Sequence, residues 1–212
     1  MPDLLELFVD DLDRDLARRR REITDLRLLV VASSGDRLAL LARACHVITY
    51  AHWEGFVRSA IRSYLTYVLT RNETVAALKI GFQALAIQTQ LRVAAASWDA
   101  IPSVTEMIER IDTRSMNRFD VDPDKSIQTG NLDSVKFRAF LASVSLDYLD
   151  TYKTRENFID KILCGRRHRI AHGHWQPVSA EDARSVADDV LLLCTEFAEQ
   201  LQAAALYEQY KA

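Results

Sequence analysis

Between Pro2 and Pro102 the chain contains three glycines and no proline. Tight turns and strand corners lean on these two residues, so a hundred residues this poor in them must run as long helices with few turns. The apolar pattern agrees. Leu4, Leu7, Phe8, Leu12, Leu16, Ile23, Leu26 and Val30 recur at helical spacing and predict one helix from about Asp3 to Val31. Ser33-Ser34-Gly35-Asp36 breaks it, and Ser and Asp are favoured caps for the next helix, expected from about Arg37 to Leu69. Tyr50, Trp53, Val57, Ile61, Tyr64 and Leu65 form the apolar face of that second helix.

Further along, Arg71-Asn72-Glu73 marks a boundary. Helical segments are expected over about 74–97 and 103–112, and a loop over 113–130, where apolar periodicity fades. Asn131-Leu132-Asp133-Ser134 reads as a cap for a helix to about Val144. Two more helices are expected, over about 155–172 and 179–210. Val186, Val190, Leu193, Phe197, Leu201 and Ala204 face inward on the last, and Ser179 with Glu181 and Asp182 gives it an acidic start. The expected architecture is an all-α bundle of long antiparallel helices, with residues 1–212 in a single domain.

Composition narrows the function classes. The formal net charge is −3, so the whole surface is not a generic polyanion binder and any nucleic-acid site must be local. No apolar run reaches the roughly 18–20 residues of a membrane span, so no membrane partner is expected. The three cysteines are odd in number, widely separated and without a CxxC pair. With no signal peptide evident, the expected setting is the reducing cytoplasm.

One stretch departs from the acidic average. Three of the five histidines, His168, His172 and His174, fall within seven residues, and Lys161 to Trp175 holds four Lys/Arg and no Asp or Glu. Such an excess focuses a local positive field. Phe158, Ile159, Ile162, Leu163, Ile170 and Ala171 place the stretch on the last turns of a helix. Gly173 is its expected C′ cap, with Pro177 soon after. His168 and His172 then lie one turn apart on one face. Gly165 costs about 1 kcal/mol in a helix interior and suits a kink or a close approach of another backbone.

A histidine is suited to take the proton of an RNA 2′-hydroxyl, because its ordinary pKa is near neutral. An arginine fork suits the charge that builds on the phosphate. Arg167 and His172 could thus cleave RNA to a 2′,3′-cyclic phosphate and a 5′-hydroxyl without a metal. An Arg-x4-His spacing alone recurs by chance. Zinc is the competing chemistry, since Cys164, His168 and His172 are spaced i, i+4, i+8. They would span about 12 Å of a straight helix, too far for bonds of about 2 Å, so neither a metal nor another cofactor is expected.

Two other polar clusters admit two readings each. Arg18 to Arg21 could contact an RNA backbone, but Asp10, Asp11, Asp13, Asp15 and Glu22 nearby favour a solvated helix face. His52 and Glu54 lie off the aromatic stripe. An exposed Glu54–Arg58 ion pair is the plainer reading, and a border to the basic motif is the sharper one.

Arg167-His168-Arg169-Ile170-Ala171-His172-Gly173 resembles the Arg-polar-x3-His motif of the HEPN superfamily, commonly Arg-Asn-x-Ile-Ala-His-Gly. Tyr50-Ala51-His52-Trp53-Glu54-Gly55-Phe56-Val57 resembles a segment of its bacterial RNase-toxin-like branch, and Asn131-Leu132 also fits that branch. The resemblance spans about residues 40 to 205. It implies a HEPN-like bundle that dimerises through the motif helices, and a metal-independent endoribonuclease acting as a toxin or anti-phage defence effector. An antitoxin or regulatory protein is an implied partner. By position Arg167 and His172 would be catalytic, with His168, where Asn is usual, positioning the substrate. Glu54, His52, Arg166, Arg169 and His174 would support substrate binding. Some members carry Tyr two residues after the motif histidine; here His174 stands there. Some members are inactive and only bind RNA or a partner protein.

Overall fold

The computed structural model describes residues 3–95, 117–126 and 130–212. These residues are all-α, with isolated bridges and no strand among them. Helix α1 (Leu4–Val31) begins at Asp3, whose carboxylate accepts the Leu5 N–H at 3.1 Å. Helix α2 (Gly35–Thr70) turns back along it after a three-residue connection. Asp15 therefore lies opposite Ser59, and Arg19 opposite the His52 carbonyl. Helices α3 (Ile80–Ala95), α4 (Pro123–Ser126), α5 (Ser134–Ser143) and α6 (Asp150–Lys153) follow. A π-helical segment, Phe158–Gly165, runs into α7 (Arg166–Ala171), and α8 (Ala180–Leu206) closes the bundle. Helix α8 is antiparallel to α1: Arg27 meets Asp188, Arg20 meets Thr195 and Asp13 meets Gln202.

The three long helices enclose the main core. Phe137 sits at its centre, with ring centroids 4.9 Å from Trp53, 4.9 Å from Tyr152 and 5.5 Å from Phe197. Each such fully buried apolar side chain contributes about 1.5–3 kcal/mol. A second, smaller cluster of Val30, Ala42, Cys45, Val178 and Ala183 lies at the other end, and Ile170 of α7 packs against it. The motif helix is thus held at both ends: Ile159 and Leu163 are fully buried in the main core, and Ile170 leans on the second cluster.

Several expected boundaries move. The segment expected to start a helix at Thr74 instead takes one 3₁₀ turn (Val75–Ala77), and α3 begins at Ile80. The intervening backbone is tied elsewhere: Val75 N–H donates to Asn117 O at 2.9 Å, and Lys79 N–H to Tyr210 O at 2.8 Å. Helix α8 stops at Leu206, because the terminal turn folds back to make that second bond. Leu4 and Leu7 extend the apolar stripe of α1 in sequence but stand exposed. The helix expected over 103–112 lies outside the described residues, as do 113–116 and 127–129 of the expected loop. Of that loop's described part, Phe119 is buried and Pro123–Ser126 is helical. Among the described residues no helix is long and apolar enough to cross a membrane.

Candidate functional site

The motif helix is not the regular α-helix its periodicity suggests. From Phe158 to Gly165 it is π-helical, a wider turn that recurs at functional sites. Gly165 ends the π segment, and a methyl there would sit 3.0 Å from the Asp160 carbonyl oxygen. The helix then ends as expected. Gly173 takes φ +79°, which favours glycine. Its N–H donates to Ile170 O at 3.1 Å, and His174 N–H to Arg169 O at 3.0 Å, the paired bonds of a Schellman cap.

One stripe of α2 faces this helix. Arg43, His46, Tyr50 and Glu54 follow at steps of three and four residues, so they share a face. His46 is fully buried, and its Nε2 lies 3.3 Å from the Leu163 carbonyl of the π segment. Burial, with the Arg166 charge beside it, pushes the His46 pKa down to about 4, against the pull of the Leu163 and Ile162 carbonyls and Asp182. The ring is therefore neutral at pH 7. Burial and the nearby Glu54 carboxylate raise the Tyr50 pKa, so it stays a phenol. Its hydroxyl accepts the Leu132 N–H at 2.6 Å.

Arg167 lies over Tyr50, its guanidinium carbon 3.9 Å from the ring centroid. Its Nη2 donates to Asn131 Oδ1 at 2.8 Å. Its Nε is buried and makes no hydrogen bond among the described residues. The turn that presents Asn131 is itself fastened to the motif helix. The Asp160 carboxylate accepts the Ser134 N–H and hydroxyl, each at 2.8 Å, and Asp133 caps α5 by accepting the Lys136 N–H at 2.8 Å. Asn131 takes φ +53°, a conformation asparagine tolerates better than most residues.

The remaining sequence candidates divide. His168 and His172 meet as expected, both exposed, with ring centroids 4.3 Å apart and planes tilted by 53°. Arg169 and His174 are exposed on the same stretch. Among the described residues no carboxylate forms an ion pair with Arg167, His168, Arg169, His172 or His174. Arg166 instead turns to the start of α8, 3.5 Å from Asp182. Asp182 is held below the usual carboxylate range by the Ser179 N–H and hydroxyl and by Arg166, against the effect of its burial. Glu54, half-buried, pairs with Arg58 at 3.6 Å, and its carboxylate also bears on Tyr50, the ring beneath Arg167.

His52 does not join the motif. It is buried toward α1, with Nε2 3.4 Å from Glu22, and the charges that bear on it are Glu22, Arg19, Arg18 and Asp15. Burial lowers its pKa. Cys164 falls in the π segment, packed against the core, and burial raises its thiol pKa. Among the described residues no three His, Cys, Asp or Glu side chains converge to hold a metal ion.

Sequence reasoning missed His46 and Asp160, gave Ser134 only a capping role and saw no hydrogen-bonding role for Tyr50. The spacing of Arg43, His46, Tyr50 and Glu54 was the available signal: a polar stripe beside the apolar face of a buried helix.

No curated protein and no solved structure matches the chain. The family described as HEPN_MAE_28990:/-like HEPN matches residues 8–210, which takes in α1 from Phe8 onward, α2 and α8 whole, the Arg167–His172 stretch and Asn131. By that match over nearly its whole length, the chain belongs to the HEPN superfamily.

Proposed function

We propose that this HEPN chain is an endoribonuclease whose reaction needs no metal. The observation that carries the reading is Arg167. Its guanidinium is oriented by the Tyr50 ring and Asn131, forms no ion pair with a carboxylate among the described residues, and sits on the short helix that carries His168 and is capped by His172, whose rings are in contact. In the reaction His172 takes the 2′-hydroxyl proton and O2′ attacks phosphorus. The P–O5′ bond breaks, and the 5′-oxygen leaves with a proton. In this reading His168, beside His172, gives up that proton. Arg167 steadies the charge on the non-bridging oxygens, and its rigid mount lowers the cost of aligning it. The products are a 2′,3′-cyclic phosphate and a 5′-hydroxyl. In this reading 1–212 is one domain, two copies meet through the motif helices, and the protein works in the cytoplasm as a toxin or anti-phage effector under an antitoxin or other regulator.

A second reading has one observation in its favour. Arg167 is already engaged by Tyr50 and Asn131, as a residue with a structural task would be. The chain is then a non-catalytic HEPN module that binds RNA or a partner protein. Incubation of the purified protein with mixed cellular RNA in EDTA, beside His172→Ala, separates the two. Cleavage by the wild type alone, leaving cyclic phosphate ends, is expected. Intact RNA in both samples would favour the binding module.

A further inference from the structure

The reaction above leaves one conspicuous side chain unused. Trp175 stands 67% exposed, three residues beyond His172. Single exposed aromatics are ordinary on protein surfaces. This one is fixed, and it stands in a particular place. The Arg43 guanidinium lies over the indole, 4.4 Å from its centroid. Arg43 is itself anchored, its Nε donating to Ala39 O at 3.3 Å. A ring braced on one side pays little ordering entropy when something stacks on it.

Its place follows from α2. Arg43 under Trp175 and Tyr50 under Arg167 lie seven residues apart on one stripe, about 10 Å along the helix axis at 1.5 Å per residue. The two arginine–aromatic stacks are therefore separated by about the length of three stacked nucleotides, at ~3.4 Å each. The imidazole pair lies between them in the chain. From Lys161 to Val178 there is no Asp or Glu, so a polyanion meets no fixed negative charge from this stretch. An aromatic face beside a basic groove is how proteins hold unpaired nucleotides, since every base has a π-face. A base inside a duplex is stacked on its neighbours and has no free face to offer.

We propose that Trp175, braced by Arg43, is the stacking platform for an unpaired base of the RNA, a few nucleotides from the phosphate at Arg167. This rests on the endoribonuclease reading and narrows its substrate class to single-stranded RNA.

The test uses the full-chain His172→Ala protein and a short RNA oligonucleotide of mixed sequence with 2′-O-methyl groups throughout, which removes the attacking hydroxyl. Stacking on Trp175 should quench tryptophan fluorescence with the single strand and not with its duplex. Of the other two tryptophans, Trp53 is fully buried and out of reach of a base, and a Trp98→Phe background removes the signal of the third. Adding Trp175→Ala should abolish the quench and weaken binding by about 5- to 150-fold, and Trp175→Phe should restore most of the binding. In the cleaving protein Trp175→Ala should raise KM more than it lowers kcat. Unchanged oligonucleotide binding in Trp175→Ala overturns the proposal. So does a dimer that becomes a monomer in light scattering on that change, which would assign the indole to a second copy. Trp175-dependent binding without any RNA cleavage would remove the ribonuclease reading and leave the platform standing.

Discussion

Two basic runs in this chain look alike on paper and fold to different ends. Arg18 to Arg21 and Arg166 to Arg169 are each four residues on a helix. In α1 two of the four arginines, Arg18 and Arg19, meet acids of their own helix. Arg18 donates to Asp15 at 2.7 Å and Glu22 at 2.8 Å, Arg19 to Asp15 at 3.0 Å and to the His52 carbonyl at 3.1 Å, and Arg20 reaches Thr195 at 3.2 Å. In the motif helix Arg166 alone finds an acid, Asp182, while Arg167 is held by a ring and a neutral amide. A local excess of charge thus marks a site only where the fold withholds carboxylates. Fixing an arginine without neutralising it needs aromatic faces and amide oxygens, and the motif helix is built on these.

The largest expected effect breaks the two runs apart. Arg167→Ala and His172→Ala should each lower kcat/KM for RNA by about 10²–10⁴-fold, the usual scale for a lost charge stabiliser or general base. Arg18→Ala and Arg20→Ala should stay within about twofold, as surface changes do. Equal losses from both runs would show that α1 contributes to RNA contact after all.

Next comes stability, where the order reverses. The Arg19 side chain is 11% exposed and lies against Gly55, where a methyl would come within 2.8 Å of its Nη1. Asp15 is shared by Arg18, Arg19 and Ser59; these bonds outweigh burial and hold its carboxyl below the usual range. Removing Arg19 takes one of three partners from Asp15 and leaves the buried His52 carbonyl without its donor, so Arg19→Ala should cost about 1–3 kcal/mol in urea unfolding, with Arg19→Met milder. Arg167→Ala should unfold at nearly the wild-type midpoint. A wild-type midpoint for Arg19→Ala would show that the buried arginine is not structural.

This contrast also explains what the sequence disclosed. Glycine scarcity and apolar period were enough for α1, α2 and α8, because long helices are local objects whose stripes repeat many times. The acids flanking Arg18 to Arg21 lie within one turn, so their pairing was legible too. The π segment was not: one wider turn leaves the apolar period nearly intact, and what marks it, Gly165 against the Asp160 carbonyl, is a contact within the folded helix. Nor could spacing assign Asn131 to Arg167 or His46 to Leu163, because those pairs are 36 and 117 residues apart. Spacing left the direction of His52 open, because a position off the aromatic stripe of α2 faces either α7 or α1, and only the packed bundle turns it toward Glu22 of α1.

His46 gives a smaller effect with a definite pH window. Its folded pKa, about 4, lies below the unfolded value of about 6.5. Below pH 6.5 the unfolded chain takes up a proton that the folded chain refuses, so stability falls as pH drops from about 6.5 to about 4. The full loss is about 3 kcal/mol. His52, lowered in the same sense, adds to the slope. Asp15 and Asp182, both lowered, lose their contributions at more acid pH. His46→Gln keeps a donor for Leu163 and should flatten part of the slope in urea midpoints across this window. An unchanged slope would mean the buried ring does not report on the motif helix.

The smallest effect tests the comparison most directly, because it converts one kind of arginine into the other. Asn131 is exposed, so water replaces its amide when it is removed, and the loss should be modest. Its φ of +53° would strain an alanine, so Asn131→Gly is the cleaner deletion. It should lower kcat/KM by about two- to tenfold, since an exposed contact to a charged group is worth about 1 kcal/mol, with KM little changed. Asn131→Asp keeps the oxygen that receives Arg167 and adds the charge that Asp15 gives Arg18. If orientation alone mattered, this variant would match wild type. If the motif works because its arginine is held but not neutralised, Asn131→Asp should fall below Asn131→Gly, and the deficit should shrink as salt screens the exposed pair.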